Sequence, residues 1–119
     1  MRVALLFPAA SMLMAGMAIA FVAIRTADGR IGRNRFAGIR TRATMSSDDN
    51  WLLAHAAARG PTVRAGQTFM ISAAILPFGP LGLVLAMLGI AVGIVWLFRG
   101  ARAGVRAVTP MERKKRDGK

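Results

Sequence analysis

Apolar and charged residues are segregated along this chain rather than interleaved. Residues 3–24 and residues 67–98 contain no charged side chain. A soluble helix or strand would alternate apolar and polar positions with a period of about 3.6 or about 2 residues. A helix that crosses a membrane needs about 20 consecutive apolar residues to cover hydrocarbon about 30 Å thick. The pattern therefore predicts an all-α integral membrane protein.

The first apolar stretch predicts a transmembrane helix over about residues 3–24. A cleaved signal peptide is the alternative, because Arg2 precedes the stretch and the small residues Ala18 and Ala20 lie near its end. The stretch is, however, longer than the roughly 7–15 apolar residues of a signal peptide. Much more positive charge follows it than precedes it, which favours an uncleaved helix with its N-terminus outside the cell.

The second apolar stretch is interrupted by Pro77-Phe78-Gly79-Pro80. Because proline lacks an amide proton and glycine loosens the backbone, this tetrapeptide predicts a hairpin between helices over about 62–76 and 81–98. One helix kinked at the prolines is the alternative. Charge favours the hairpin, since a single crossing would export a loop with eight basic residues. The prediction is therefore three transmembrane helices.

A further helix start lies between the first two predicted crossings. Ser46-Ser47-Asp48-Asp49 precedes an apolar run that begins at Trp51. A serine hydroxyl at this position accepts a hydrogen bond from an otherwise unpaired amide, and acids suit the positive end of the helix dipole. The pattern predicts a short interfacial helix over about 47–59, within the cytoplasmic loop, that ends at Gly60-Pro61.

The distribution of charged residues adds one prediction, the orientation of the protein across the membrane. The chain has 17 Lys and Arg against 5 acids, a net charge of +12, which alone would suggest a nucleic-acid binder. Every basic residue except Arg2 instead lies between the apolar stretches or after the last one, as the positive-inside rule requires. We therefore expect a plasma-membrane protein with a cytoplasmic central loop and C-terminus, and no nucleic-acid partner.

Residues 1–98 are predicted to form the transmembrane module, and residues 99–119 a basic cytoplasmic tail. Clustered basic residues beside a membrane attract anionic lipid at about 1 kcal/mol for each residue near the surface. We therefore expect the tail to contact anionic lipid headgroups of the bilayer. The residues in question are Arg99, Arg102, Arg106, Arg113, Lys114, Lys115 and Arg116.

The most informative segment spans residues 34–58. Its order and spacing of residues resemble the SdpI-like family, bacterial membrane proteins related to an immunity protein against a secreted sporulation-delaying toxin. The matching positions are Asn34, Arg35, Gly38, Ile39, Arg40, Thr41, Thr44, Ser47, Trp51 and His55. The resemblance covers about residues 21–98, and it identifies the chain as a single-module member.

The resemblance implies a non-enzymatic protein that acts in immunity or signalling by binding a membrane-active peptide or a protein partner. Two departures limit what it implies. The family often has proline after the Arg-Thr pair, where this chain has Arg42, and the namesake immunity protein has additional helices ahead of the module. Fold and location therefore follow more strongly than toxin immunity. The alternative function is a small accessory subunit that stabilises a larger membrane complex or transporter.

The same residues predict a polar cluster on the cytoplasmic face of the bundle. Trp51 and His55 are four positions apart and share one face of a helix. Gly38 allows a turn that would bring Arg40 to the acidic helix start at Asp48. The predicted members are Arg40, Thr41, Thr44, Ser47, Trp51 and His55. The alternative is that these residues only fix the loop in place.

The sequence gives little support to catalytic chemistry. One histidine, five scattered acids and no cysteine supply no metal-ligand spacing. Helix capping explains Ser47 beside His55 better than a hydrolytic triad does. The loop glycines lack the Lys-Ser/Thr ending of a phosphate-binding loop. We therefore expect neither an enzyme nor a cofactor.

Small residues on the third predicted helix indicate close helix packing at Gly82, Gly89 and Gly93. The last two form a small-xxx-small motif, which lets two helix backbones approach each other. Two packing partners are possible for this helix: the first helix, through Gly16 and Ala20, or a second copy of the chain in a homo-oligomer.

Overall fold

The computed structural model describes residues 2–118, which form three α-helices. Helix α1 spans Arg2–Ala27, α2 spans Asp48–Ile75 and α3 spans Gly79–Asp117. A long loop joins α1 to α2, and a tight turn joins α2 to α3. The bundle is elongated, with extents of 62 × 23 × 18 Å. The predicted all-helical architecture is confirmed.

Helix α2 is the centre of the bundle, with α1 and α3 packed antiparallel along its sides. Gly16 of α1 lies against Gly66 of α2, and Gly93 of α3 lies against the Phe69 ring of α2. Near the hairpin all three helices meet, where Ala9, Leu76 and Ala86 are buried together.

The small residues of α3 face α2 rather than α1. Gly82 lies against the Ile75 carbonyl, and Gly89 lies against the Ser72 side chain. Within one copy of the chain, the predicted packing glycines of α3 therefore contact α2 and not the first helix. This arrangement follows from the short hairpin, which places the start of α3 beside the end of α2.

Two helices, α1 from Val3 to Ala27 and α3, are long and apolar enough to cross a membrane. Their outward faces carry large exposed apolar side chains, such as Met14 on α1 and Leu81 on α3, each 70% exposed. A soluble bundle would bury such residues against other elements. The two helices therefore suggest a membrane protein.

The predicted helix end at Gly60-Pro61 is wrong, because α2 runs through both residues. Proline inside a helix removes one amide donor and crowds the carbonyl four residues earlier, and packing on both sides of Pro61 offsets this cost. Ala58 and Ala65 are 2% and 0% exposed. The segment predicted as a separate interfacial helix over 47–59 is instead the first part of α2, and it lies along the bundle axis.

The predicted hairpin at Pro77–Pro80 is confirmed. The Phe78 amide donates to the Ile75 carbonyl at 3.1 Å, and Gly79 has a φ of +84°, which glycine adopts without strain. The following helix extends well beyond its predicted membrane-crossing part, 81–98, since α3 has 39 residues and continues through Pro110. It continues because Gly100, Gly104 and Val108 are buried against the rest of the protein.

Candidate functional site

The loop between α1 and α2 lies over the first part of α2 and covers Trp51 and His55. These two side chains are 1% and 4% exposed, and their ring centroids are 4.1 Å apart. The predicted shared face is therefore present. The indole Nε1 of Trp51 donates to the Ile31 carbonyl at 2.9 Å, which ties the loop to the helix beneath it.

Both ring nitrogens of His55 have hydrogen-bond partners. The Ile39 amide donates to Nε2 at 2.8 Å, so Nε2 carries no proton. Nδ1 lies 2.7 Å from the Trp51 carbonyl oxygen and therefore carries the proton and donates it. Burial lowers the pKa of His55, and the hydrogen bond to the Trp51 carbonyl opposes that effect only in part. His55 is thus a neutral side chain that holds the loop backbone.

Gly38 allows the loop to approach this pair closely. Its φ is +104°, in the left-handed region that side chains with a Cβ disfavour. A methyl group at this position would lie 2.7 Å from His55 Nε2 and 2.7 Å from Trp51 Cη2. Both the backbone angle and the available space therefore require glycine.

Asn34 fixes the loop immediately before Gly38. Its Oδ1 accepts from the Phe36 and Ala37 amides, each at 2.8 Å. Its Nδ2 donates to the Gly32 carbonyl at 2.8 Å. Nδ2 also donates to the Ala37 carbonyl at 3.1 Å, so one side chain satisfies four backbone groups that lie outside any helix and closes a tight turn in the loop.

Thr44 fixes the loop immediately after Gly38. It is fully buried, and its Oγ1 donates to the Ile39 carbonyl at 2.7 Å. The same oxygen accepts from the Thr41 amide at 2.9 Å. The Ile39 side chain is directed towards Gly104 of α3. The loop is therefore attached to both α2 and α3.

The N-terminus of α2 has the predicted serine cap. The Ser47 hydroxyl accepts from the Asn50 amide at 3.0 Å. Arg40, predicted to approach the acidic start of this helix, forms no salt bridge there: Arg33 pairs with Asp48, at 2.8 Å between Nε and Oδ1. Arg40 is exposed, because Ile39 beside it is held inward by its bond to His55 and by Gly104.

Sequence reasoning missed a connection between the start of α2 and the last turns of α3. Glu112 of α3 accepts from Ser46 Oγ at 2.7 Å and from Asn50 Nδ2 at 2.8 Å. The hydrogen bond from Ser46, with that from Asn50 and the nearby Lys115 charge, lowers the pKa of Glu112. The only available signal was the single glutamate of the chain, placed in the basic tail, and nothing local connects it to a partner 62 residues away.

The predicted site residues thus divide into an inner and an outer set. The inner set holds the loop and the start of α2, and its members are Asn34, Gly38, Thr41, Thr44, Ser47, Trp51 and His55. Arg35 and Arg40 form the outer set: both are exposed, and neither forms a hydrogen bond or salt bridge within residues 2–118. Between them lies Phe36, which is 92% exposed.

The part of the chain that the structure describes contains no cluster of side chains that could hold a metal ion. No three His, Asp or Glu side chains of residues 2–118 come together as a set of ligands. The sole histidine already uses both nitrogens.

Residues 30–99 match the sequence model of the SdpI/YfhL protein family. The chain belongs to the SdpI/YfhL protein family. The matched SdpI/YfhL segment contains the inner and outer sets, all of α2 and the apolar part of α3, whereas α1 and the rest of α3 lie outside it. Searches of curated proteins and of solved structures gave no match.

Proposed function

We propose that this SdpI/YfhL protein is a non-enzymatic, multi-pass protein of the bacterial plasma membrane that binds a membrane-active peptide or a protein partner. The observation that supports it is the division of the loop residues. The inner set fixes the backbone, while Arg35, Phe36 and Arg40 point outward without internal partners. Residues that do not hold the fold are available to a ligand.

The chemistry of this outer surface is that of a binding surface. Arginine and aromatic side chains are enriched among residues that dominate the free energy of protein association. A loop already ordered by Trp51 and His55 loses little further conformational entropy when it binds. Its arginines favour a partner that presents carboxylate groups.

The helix pairing supports a specific placement in the membrane. If the apolar part of α3 lies in lipid, the half of α2 beside it must lie at the same depth, because the hairpin at Gly79 joins them directly. Residues 62–76 are then the third crossing, flanked by α1 and α3. The positive-inside rule puts the N-terminus outside and the loop and C-terminus in the cytoplasm.

The basic end of α3 has two parts in this placement. A helix rises about 1.5 Å per residue, so Arg113 lies about 21 Å beyond Arg99 along α3. In an upright α3, Arg99 and Arg102 are at headgroup level, whereas the cluster from Arg113 to Arg116 is further from the bilayer.

Exposed arginines in the same loop provide the test. Cells that lack the protein should become sensitive to a secreted membrane-active peptide, and Arg35→Ala or Arg40→Ala should reproduce that loss at unchanged membrane abundance. Arg42→Ala is the matched control, because Arg42 is equally exposed but outside the recognised motif. Unchanged sensitivity of the deletion strain, or equal loss in the control, would contradict the proposal.

An accessory role in a larger membrane complex is the second candidate. Supporting it, α1 packs along one side of α2 only and leaves Phe7, Met14 and Met17 outward, at 80%, 70% and 55% exposure. Another helix or lipid can cover that face. Purification in a gentle detergent should then recover a partner in constant ratio, whereas a clean monomer or homodimer would argue against this role.

A further inference from the structure

Arg64 of α2 and Arg99 of α3 both stack on the ring of Trp96. Their guanidinium carbons lie 5.0 Å and 5.3 Å from the centroid of that ring. Both arginines are exposed, and Trp96 is partly buried. Two positive charges from different helices are therefore held at one aromatic side chain.

No acid balances these two charges. Within residues 2–118 the only salt bridge joins Arg33 to Asp48, in the loop. The guanidinium carbons are no more than about 10 Å apart, since each lies within 5.3 Å of the same centroid. Two like charges repel each other, and an anion that contacts both would replace that repulsion with attraction.

The position of the group is also specific. Residues 67–98 carry no charge, so Arg64 and Arg99 are the first charged residues at that end of the apolar surfaces of α2 and α3. The contacts of Gly93 with Phe69 and of Gly100 with Thr62 place the two arginines at the same height. Tryptophan itself is enriched at the boundary between lipid and water.

We propose that Arg64, Trp96 and Arg99 bind one phosphate group, carried by an anionic lipid or by a soluble phosphate compound. The planar guanidinium offers paired N–H donors that match phosphate oxygens, which an ammonium group does not. Cation–π contact with Trp96 holds both donors before the ligand arrives. The lipid source rests on the membrane placement of the proposed function, whereas the phosphate chemistry does not.

The binding test uses the full chain in detergent and native mass spectrometry with added phosphatidylglycerol or phosphatidylcholine. Wild type should retain phosphatidylglycerol preferentially. Arg64→Gln and Arg99→Gln should each weaken retention about fivefold, the equivalent of about 1 kcal/mol. The matched control is Arg59→Gln, which removes an exposed arginine of α2 that does not contact Trp96. An equal loss in the control, or wild-type retention in both site variants, would overturn the proposal.

Inorganic phosphate separates the two sources. If it raises the thermal stability of lipid-free wild type but not of Arg64→Gln, the site takes soluble phosphate. If only phosphatidylglycerol binds, in a manner that depends on Arg64 and Arg99, the ligand is a lipid headgroup. Binding of neither overturns the proposal. The loop variants Arg35→Ala and Arg40→Ala should keep this binding, so its failure is distinguishable from failure of the proposed function.

Discussion

Replacing Gly38 with alanine tests the central claim that the loop is held directly on Trp51 and His55. The new methyl group would lie 2.7 Å from atoms of both rings, on a backbone with a φ of +104°. A side chain in the left-handed region costs roughly 1–2 kcal/mol. Moving the loop away to relieve the clash would break the hydrogen bond from the Ile39 amide to His55, for about 1 kcal/mol more. We expect Gly38→Ala to lower the free energy of unfolding by about 2–3 kcal/mol.

Denaturation in detergent micelles, followed by tryptophan fluorescence, measures this effect because Trp51 is covered by the loop. Gly32→Ala is the matched control: Gly32 is in the same loop, its φ is not in the left-handed region, and a methyl group there meets nothing within 4 Å. The control should change stability by less than about 0.5 kcal/mol. Equal shifts for the two variants would refute the reasoning.

Two further predictions follow from the same contacts. Since the folded state lowers the pKa of His55 below its unfolded value of about 6.5, the stability from this group is complete above about pH 6.5. It should decline as the pH falls towards 5, and His55→Gln should flatten the decline measured by denaturation; the same slope in both proteins would contradict this role. Gly66→Ala should destabilise the pairing of α1 and α2, because its methyl group would lie 2.6 Å from the Gly16 carbonyl oxygen. Gly32→Ala, whose methyl group meets nothing within 4 Å, should leave the midpoint of thermal denaturation nearly unchanged, and similar effects of the two substitutions on that midpoint would argue against the packing.

Features of the fold encoded by neighbouring residues were predictable from the sequence. The uncharged stretches, the Pro77–Pro80 turn and the Ser47 cap each depend on residues close together in the chain, and all three are present. The continuation of α2 through Pro61 was not predictable. It depends on α1 and α3 packing on both sides of that point, and a propensity argument does not include such contacts.

The candidate site shows the same division between local and distant contacts. Four-residue spacing correctly placed Trp51 beside His55. The partner of the acidic helix start was assigned to Arg40, but Arg33 occupies that position. The choice among several arginines in one loop depends on which backbone turn the loop adopts, and that turn is fixed by the contact of Gly38 with α2. The local sequence therefore does not show which arginine of the loop pairs with Asp48, because a tertiary contact decides it.

The part of α3 beyond the matched family segment completes the support of the loop. Gly104 receives the Ile39 side chain, and Glu112 accepts hydrogen bonds from Ser46 and Asn50. Val108 between them is fully buried. Residues after Arg99 therefore have two roles on opposite faces of one helix. The inward face holds the start of α2 and its loop, while the outward arginines remain free for anionic groups. A tail that only contacted lipid would need no buried glycine and no carboxylate directed at the loop.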